Sequence, residues 1–487
     1  MIFSLTLSAP HEHQQTLNAL GRSLQWIGAA ISAAFACAAM AATPDASSSI
    51  STEQRVAATP ELLARYLDVD TVNPPGNEIR GARFFAEQFD AAGIEYQIAE
   101  SAPGRGNIWA RIKGGRKPAL VLLNHIDVVP ADARFWDVEP LRGTLKDGFV
   151  WGRGALDMKG TAIMQLQAFL AVAASGKKLN RDLVFVATAD EEAGGAFGAG
   201  WLVKNHPEIF RGAGFLLNEG GYSTRLKGDT LFLLEVTQKV PVWLRLTAQD
   251  RPGHGSSPTA TTAVTRIVRA AARLADTQFP ARVVPAVSKL FAGLAPYQSE
   301  ELRPRFEDIT SAAKDDLFMR KLQAQSPSEH ALLRNTCSLT TLRGSTKINV
   351  IPPDAVLELD CRMLPDQDEA SFIAEIKTIV NDPNVKIEKI MSLAPAVSPA
   401  GGDLYELIEE LAAERYENGK VIPTVSTGFT DSHFFRAMGI KSYGLGLYQV
   451  PKSDARGIHG NNERLGADNL RRATETMIEL VQRFTAR

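Results

Sequence analysis

Cysteine is scarce in this chain, with three in 487 residues. That excludes a small disulfide-stapled scaffold, and none of the three has the paired spacing of a cysteine zinc site. Net charge is nearly absent too, since 53 Lys and Arg against 55 Asp and Glu leave a formal −2. A chain so balanced has no electrostatic footprint for nucleic acid or for an anionic membrane surface. Heptad runs, internal repeats and RNA-binding aromatic motifs are also lacking. The apolar run from Trp26 to Ala38 is too short and too weakly hydrophobic to make a convincing bilayer span.

That run has the layout of a leader. Arg22 precedes it, Ala39-Met40-Ala41 supplies small residues for a cleavage site, and Thr43 to Ser51 turns polar and Ser-rich. We expect a secretory signal peptide over residues 1–41, export to the periplasm or beyond, and no membrane span once it is removed. An uncleaved anchor helix is the competing reading. A lipid attachment at Cys37 fits poorly, because Ala34-Phe35-Ala36 lacks the branched residue such a site starts with. Cys337 and Cys361 then remain. They could form one bridge in an oxidising compartment, and a buried free thiol suits Cys361 at least as well, because it sits in an alternating strand-like run.

What is present is the composition of an ordinary globular protein, 45% hydrophobic and 22% charged, long enough for two or three domains. Ala119 to Leu123, Leu183 to Ala187 and Phe215 to Leu217 are continuous apolar runs, as strands buried on both faces would be. Between the first two, Ile163, Leu166, Phe169, Leu170 and Ala173 repeat at helical spacing, and Gly176 is placed to end that helix. Strands separated by helices predict an α/β fold with a mostly parallel sheet covered on both faces. Ligands in such sheets gather at the carboxyl ends of the strands. Near Lys239 the pattern changes: Val242, Leu244 and Leu246 alternate with Trp243, Arg245 and Thr247, as in a half-exposed strand. A helix over about 260–275, a long charged stretch over about 280–334, strands over 337–342 and 356–363, a helix over 369–380 and a strand over 385–390 follow. This reads as an α+β module inserted into the first domain. The expected boundaries are 52–239 for the first part of the catalytic domain, 240–396 for the insert and 397–487 for the second part.

Polar clusters fall where the strands end. His125-Ile126-Asp127 follows the first run, and residues two apart on extended backbone face the same side. Asp127 can then accept the second ring N–H of His125 and fix its tautomer. Asp157 stands in Gly152-Arg153-Gly154-Ala155-Leu156-Asp157-Met158-Lys159-Gly160, ahead of the helix, and a carboxylate has two oxygens with which to bridge two cations. Asp190-Glu191-Glu192 follows the second run; three adjacent acids repel unless something positive sits among them. Glu219 ends the third run, and His459 lies in Gly457-Ile458-His459-Gly460-Asn461-Asn462-Glu463. Taken singly, each is an ordinary loop pair, helix cap or solvated turn. Together, two histidines and three carboxylates, with a fourth acid as base, suit two divalent cations sharing one carboxylate.

The order of these motifs resembles the co-catalytic zinc exopeptidases and amidohydrolases that include glutamate carboxypeptidase, aminoacylase and succinyl-diaminopimelate desuccinylase. The stretch Trp136-Asp137-Val138-Glu139-Pro140 through Gly160 is most similar to their carboxypeptidase S branch. The resemblance implies that Asp157 bridges two metals, zinc first with cobalt or manganese also acceptable. It implies Glu192 and His459 on one metal, His125 and Glu219 on the other, Glu191 as general base, Asp127 orienting His125, and a cis peptide after Asp157. In the insert it implies a ferredoxin-like lid and dimerisation module. There His254 would reach a partner protomer's site and stabilise an oxyanion, Asn349 would contact substrate, and Arg362 would grip a terminal carboxylate. Arg362 also shares a strand face with Glu358 and Asp360 and could pair with them. Phe429, in Thr427-Gly428-Phe429-Thr430-Asp431-Ser432, departs from a loop that is usually glycine-rich in these proteins. The implied activity is hydrolysis of the amide bond of a C-terminal or N-acylated amino acid by a homodimer. An N-acyl amino acid amidohydrolase or dipeptidase is the nearer alternative to a carboxypeptidase, and a non-catalytic metal-bearing binding protein the more distant one.

Overall fold

A computed structural model describes residues 50–487. The expected leader, 1–41, lies outside the described residues. Among the described residues no helix is long and apolar enough to cross a membrane.

The three apolar runs form the middle of a nine-stranded sheet. Its central strands, Arg181–Thr188, Lys117–His125, Ala213–Asn218 and Lys441–Gly444, run parallel in that spatial order. Antiparallel pairs flank them: Gly106–Ile112 with Tyr96–Glu100 on one side, Asp229–Gln238 on the other. Both faces are covered, which is why these strands show unbroken burial instead of alternation. Leu120 and Leu122 join the core under the helix Lys159–Ala174, while Val121 and Leu123 join the core under Ala199–Asn205 and Ser432–Ala437. The helix Lys159–Ala174 is buried on nearly every side, packed between the sheet and the C-terminal helix Ala467–Ala486. It stops at Ser175, and Gly176 takes the left-handed backbone (φ 61°) that lets the chain turn away.

A second, four-stranded antiparallel sheet has the order Thr336–Arg343, Asp354–Met363, Val240–Gln249, Val385–Ser392. Period-2 alternation decides its two faces. Val242, Leu244, Leu357, Leu359 and Cys361 pack against the helices Ala263–Asp276 and Glu369–Val380. Trp243, Arg245, Glu358, Asp360 and Arg362 take the opposite face. Cys337 lies directly across from Cys361 in the register, and the two are bridged as a disulfide. Of the two readings left open by the sequence, the structure contains the bridge. The strand alternates and Cys361 is buried, as expected, but its register also places a second cysteine beside it, which alternation within one strand cannot reveal.

The charged stretch after Pro280 is helical. Pro285–Leu294, Asp316–Gln325 and three shorter helices bury Val287, Phe291, Phe306 and Phe318 against Leu231, Leu233 and Ile422 of the large sheet. Its charges lie on solvent faces of short helices, so averaged composition hides the apolar stripe.

The two sheets meet where Asp229–Gln238 runs on into Val240–Gln249. At this seam the buried Lys239 donates its ammonium to Ala331 O (2.8 Å), Arg334 O (2.8 Å) and Thr336 Oγ1 (3.0 Å), and its N–H to Ser426 O. Nearby, Arg436 and Glu235 form an ion pair sealed from solvent, with Arg436 also donating to Ser442 O and Ser398 Oγ. Removing one partner strands the other charge in the interior. Arg436→Met is therefore expected to destabilise the fold by roughly 3–5 kcal/mol, read as a lowered unfolding midpoint in denaturant. A midpoint within error of the parent would show that Glu235 finds another partner.

Candidate metal centre

Each expected ligand sits at the carboxyl end of a parallel strand or in a loop facing those ends. His125 is the last residue of its strand and Glu219 follows directly on another. Glu191 and Glu192 occupy a single 3₁₀ turn after Arg181–Thr188. Asp157 precedes the buried helix, and its bond to Met158 is cis, as the resemblance implied. His459 comes from a loop near the C-terminus, with φ 55°.

These side chains converge. His125 Nε2 lies 3.1 Å from Asp157 Oδ1 and 3.5 Å from Glu219 Oε1. His459 Nε2 lies 3.2 Å from Asp157 Oδ2 and 3.1 Å from Glu192 Oε2. The two oxygens of Asp157 thus face two histidines, each backed by a further carboxylate. Ligands on adjacent corners of a tetrahedral zinc site, with bonds of 2.0–2.2 Å, stand about 3.3 Å apart. The spacing of the donors and their mix of imidazole and carboxylate both fit divalent cations. Glu191 lies beside them: ligand atoms of His125, Glu191 and Glu219 are all within 4.8 Å of one another.

The electrostatics point the same way. Burial, then repulsion by Glu219, pushes Glu191 well above the ordinary carboxylate range. Burial and repulsion by Asp157 push Glu219 up to about 7, and burial raises Glu192 as well. Hydrogen bonds to Asp157 and Glu192 push His459 up to about 10. Burial works to raise Asp157 also, but its contacts with His125 and His459 outweigh that and hold it low. So many acids packed out of water call for positive charge among them.

One expected contact differs. The ring Nδ1 of His125 is 2.9 Å from the main-chain oxygen of Asp127 and 3.5 Å from its carboxylate. The nearer carbonyl is the principal acceptor, so residue 127 does orient the imidazole, mainly through its backbone. The Asp127 carboxylate is occupied elsewhere. It accepts the N–H groups of Glu191 and Glu192 (both 3.1 Å) and Asn73 Nδ2 (2.8 Å). It therefore fixes the turn that carries Glu191. Asp190 braces the same turn in left-handed backbone (φ 70°), accepting from Arg105 Nη2 at 2.6 Å and from Phe197 N at 3.0 Å. Asn73 and Arg105 carry no local motif, and only their contacts disclose them.

Beside the cluster opens a cavity of about 740 Å³. Asp157, Glu191, Glu192, Glu219 and His459 line one end and Arg362 and Phe429 the wall toward the second sheet; the rest mixes apolar side chains such as Leu156, Tyr448, Val450 and Ile458 with the hydroxyls of Thr161, Ser223 and Thr430 and with glycine backbone. Arg362 is paired with Asp360 (Nε to Oδ1 2.6 Å, Nη2 to Oδ2 3.0 Å), while Glu358 bonds Arg245 instead. Its Nη1 is buried and without a partner among the described residues. The Phe429 ring lies 5.4 Å from the guanidinium. His254 and Asn349 are not brought here. Both are exposed, beside a two-stranded ribbon of Gly253–His254 and Val350–Ile351 on the second module. His254 Nδ1 lies 2.7 Å from Ser256 Oγ, and Asn349 O accepts Gly255 N.

A model of peptidase family M20/M25/M40 matches residues 121–483. The chain belongs to that family. It is a metal-dependent hydrolase. It is 30% identical over 416 residues to the N-fatty-acyl-amino acid synthase/hydrolase PM20D1 of Xenopus tropicalis, covering 82% of this chain and 78% of that protein. It is 26% identical to the probable carboxypeptidase S-like 2 of Dictyostelium discoideum, covering 77% and 73%. Among solved structures, the M20 family metallo-carboxypeptidase Sso-CP2 from Sulfolobus solfataricus superposes with a TM-score of 0.67 over 88% of this chain and 99% of that one. At 20% identity that likeness is one of fold.

For this M20 protein the site makes a direct prediction. A ligand that binds only the folded state stabilises it by about 2.7 kcal/mol at 100 times its dissociation constant. Zinc added to metal-free protein is expected to raise the melting temperature, and Asp157→Ala, which removes the oxygens shared by both histidines, to abolish most of that rise. An undiminished rise in the variant would place the ions elsewhere.

Proposed function

We propose that this chain is an exported two-zinc amidohydrolase that releases the amino acid from an N-acylated amino acid with an apolar acyl group. The observation that carries this is the cavity, which joins the cation cluster to Arg362 and to a mixed lining, apolar at Leu156, Leu445, Val450 and Ile458 and hydroxyl-bearing at Thr161, Ser223 and Thr430. His125, Asp157 and Glu219 would hold one ion, and Asp157, Glu192 and His459 the second. When bound, the ions acidify a water and polarise the amide carbonyl.

The protein's own groups do the rest. Arg362 lines the cavity with Nε and Nη2 taken by Asp360, and its buried, partnerless Nη1 is the donor that would turn toward the substrate carboxylate. A charge-assisted bond there orients the amide toward Glu191. Glu191, made basic by burial and by Glu219, accepts the proton of the attacking water and returns it to the leaving amine. Leu156, Tyr448 and Ile458 offer the acyl chain a dry surface. His254 and Asn349 lie outside this cavity, and we assign them to the site of a second copy in a homodimer, where His254 would steady the oxyanion. The bridge between Cys337 and Cys361 supports export, since such bonds persist in oxidising compartments.

A carboxypeptidase or dipeptidase is the second reading, favoured by Arg362 alone, which would grip a C-terminal carboxylate equally well. A panel of N-acyl amino acids, their methyl esters and blocked dipeptides separates the two. We expect turnover to rise with acyl length and to collapse on esterification; preference for blocked dipeptides would decide for the carboxypeptidase. Glu191→Gln should lower kcat by at least 10²-fold, at the low end for loss of a general base, with metal content unchanged. An active Glu191→Gln enzyme would remove the proposed base.

A further inference from the structure

Arg153 and Glu463, buried and 310 residues apart in sequence, form a contact with no part in the chemistry above. Glu463 Oε2 accepts Arg153 Nη1 at 2.7 Å and Gly154 N at 2.8 Å, and Oε1 accepts Leu156 N at 2.7 Å and Asp157 N at 3.1 Å. In return, Arg153 Nη2 donates to Gly460 O at 2.6 Å and Nη1 to Gly457 O at 3.3 Å. Each loop thus supplies one side chain that holds the main chain of the other. One loop carries Asp157, the other His459, and these two meet at 3.2 Å. Gly154 fits the grip because its φ of 92° and the 2.7 Å from its hypothetical Cβ to Val128 exclude a side chain.

The two histidines differ in what else holds them. His125 is 1% exposed and is fixed by packing and by its 2.9 Å contact with Asp127 O. His459 is 52% exposed, in left-handed backbone, so packing does little to hold it. We propose that the Arg153–Glu463 clasp is a positioning device for one side of the metal centre: it sets the cation affinity of the His459–Glu192 side and leaves the His125–Glu219 side nearly unaffected. Asp157 serves both sides and its N–H is one of the clasp's bonds, but on the His125 side its carboxylate is also backed by the buried ring of His125 at 3.1 Å, just ahead of a helix buried along most of its length. The proposal rests on the two-metal reading.

The test is zinc binding by the full chain in solutions buffered at graded free zinc. The parent should fill two sites. Glu463→Gln keeps the volume but turns an NH₂ toward backbone N–H donors. It should weaken one site by roughly 10–100-fold, as loss of an outer partner does, and leave the other within about twofold. Combined with His459→Ala, it should weaken binding no further than His459→Ala alone. Arg153→Lys keeps the charge opposite Glu463 but cannot reach both carbonyls, and should produce a smaller loss at the same site; it carries the test should Glu463→Gln fail to fold. Equal weakening of both sites, or unchanged affinity in the folded variants, would overturn the clasp. A parent that fills a single site would instead overturn the two-metal reading.

Discussion

Everything at this site follows from crowding carboxylates at one end of a parallel sheet. Asp157, Glu191, Glu192 and Glu219 approach one another out of bulk water, where like charges repel strongly and ionisation is penalised. Such an arrangement is stable only if something else holds the backbone in place. The fold supplies that with main-chain bonds to other acids. Asp127 takes the N–H groups of the Glu191–Glu192 turn, and Glu463 takes those of Leu156 and Asp157. Asp190, in left-handed backbone, is pinned by Arg105. Acids already positioned in this way would need little reorganisation to accept cations in place of protons.

Much of this was legible in the sequence, for a physical reason. Buried parallel strands are continuous apolar runs, and the residues immediately after them are placed by the strand itself. His125, Glu191, Glu192 and Glu219 could therefore be located from local pattern alone. His459 follows no long apolar run; it joined the set as a second histidine, and the resemblance gave it its place on one metal. The partners that brace these residues were less visible. Glu463 was within reach of the His459 motif, yet the N–H groups that donate to it lie some 300 residues earlier. The His125 ring was expected to meet a carboxylate, because side-chain parity was considered and the nearer main-chain oxygen was not. The same limit hid the cysteine bridge, which depends on the register between two strands, and the helices after Pro280, whose apolar positions are diluted by charged ones.

The second sheet turns an ordinary alternation into part of the site. Its apolar face is spent on two helices, which leaves Trp243, Asp360 and Arg362 on the other face. Trp243 Nε1 donates to Asp360 Oδ1 at 2.9 Å, Asp360 holds the Nε–Nη2 edge of Arg362, and the ring of Phe429 lies 5.4 Å from the guanidinium. An arginine held on so many sides has few rotamers left, which lowers the entropy lost on forming one more bond. Phe429, the departure from the glycine-rich loop, thus acquires a physical place beside the guanidinium without touching the cation cluster.

The centre and the arginine consequently belong to different sheets, and their separation is set by the seam between them. Lys239 marks that seam: one ammonium bonds three oxygens from residues 331–336, where the chain re-enters the second sheet, while its N–H bonds Ser426 beside the Phe429 loop. A buried ammonium is tolerated only with its donors satisfied, so Lys239 ties these strands to the loop, and Thr237 Oγ1 to Ala396 O and the Trp243–Phe429 ring contact add to the tie. The cavity thus takes its carboxylate end from the parallel sheet and its arginine wall from the antiparallel one, so the spacing between them is a property of the seam and not of either sheet alone.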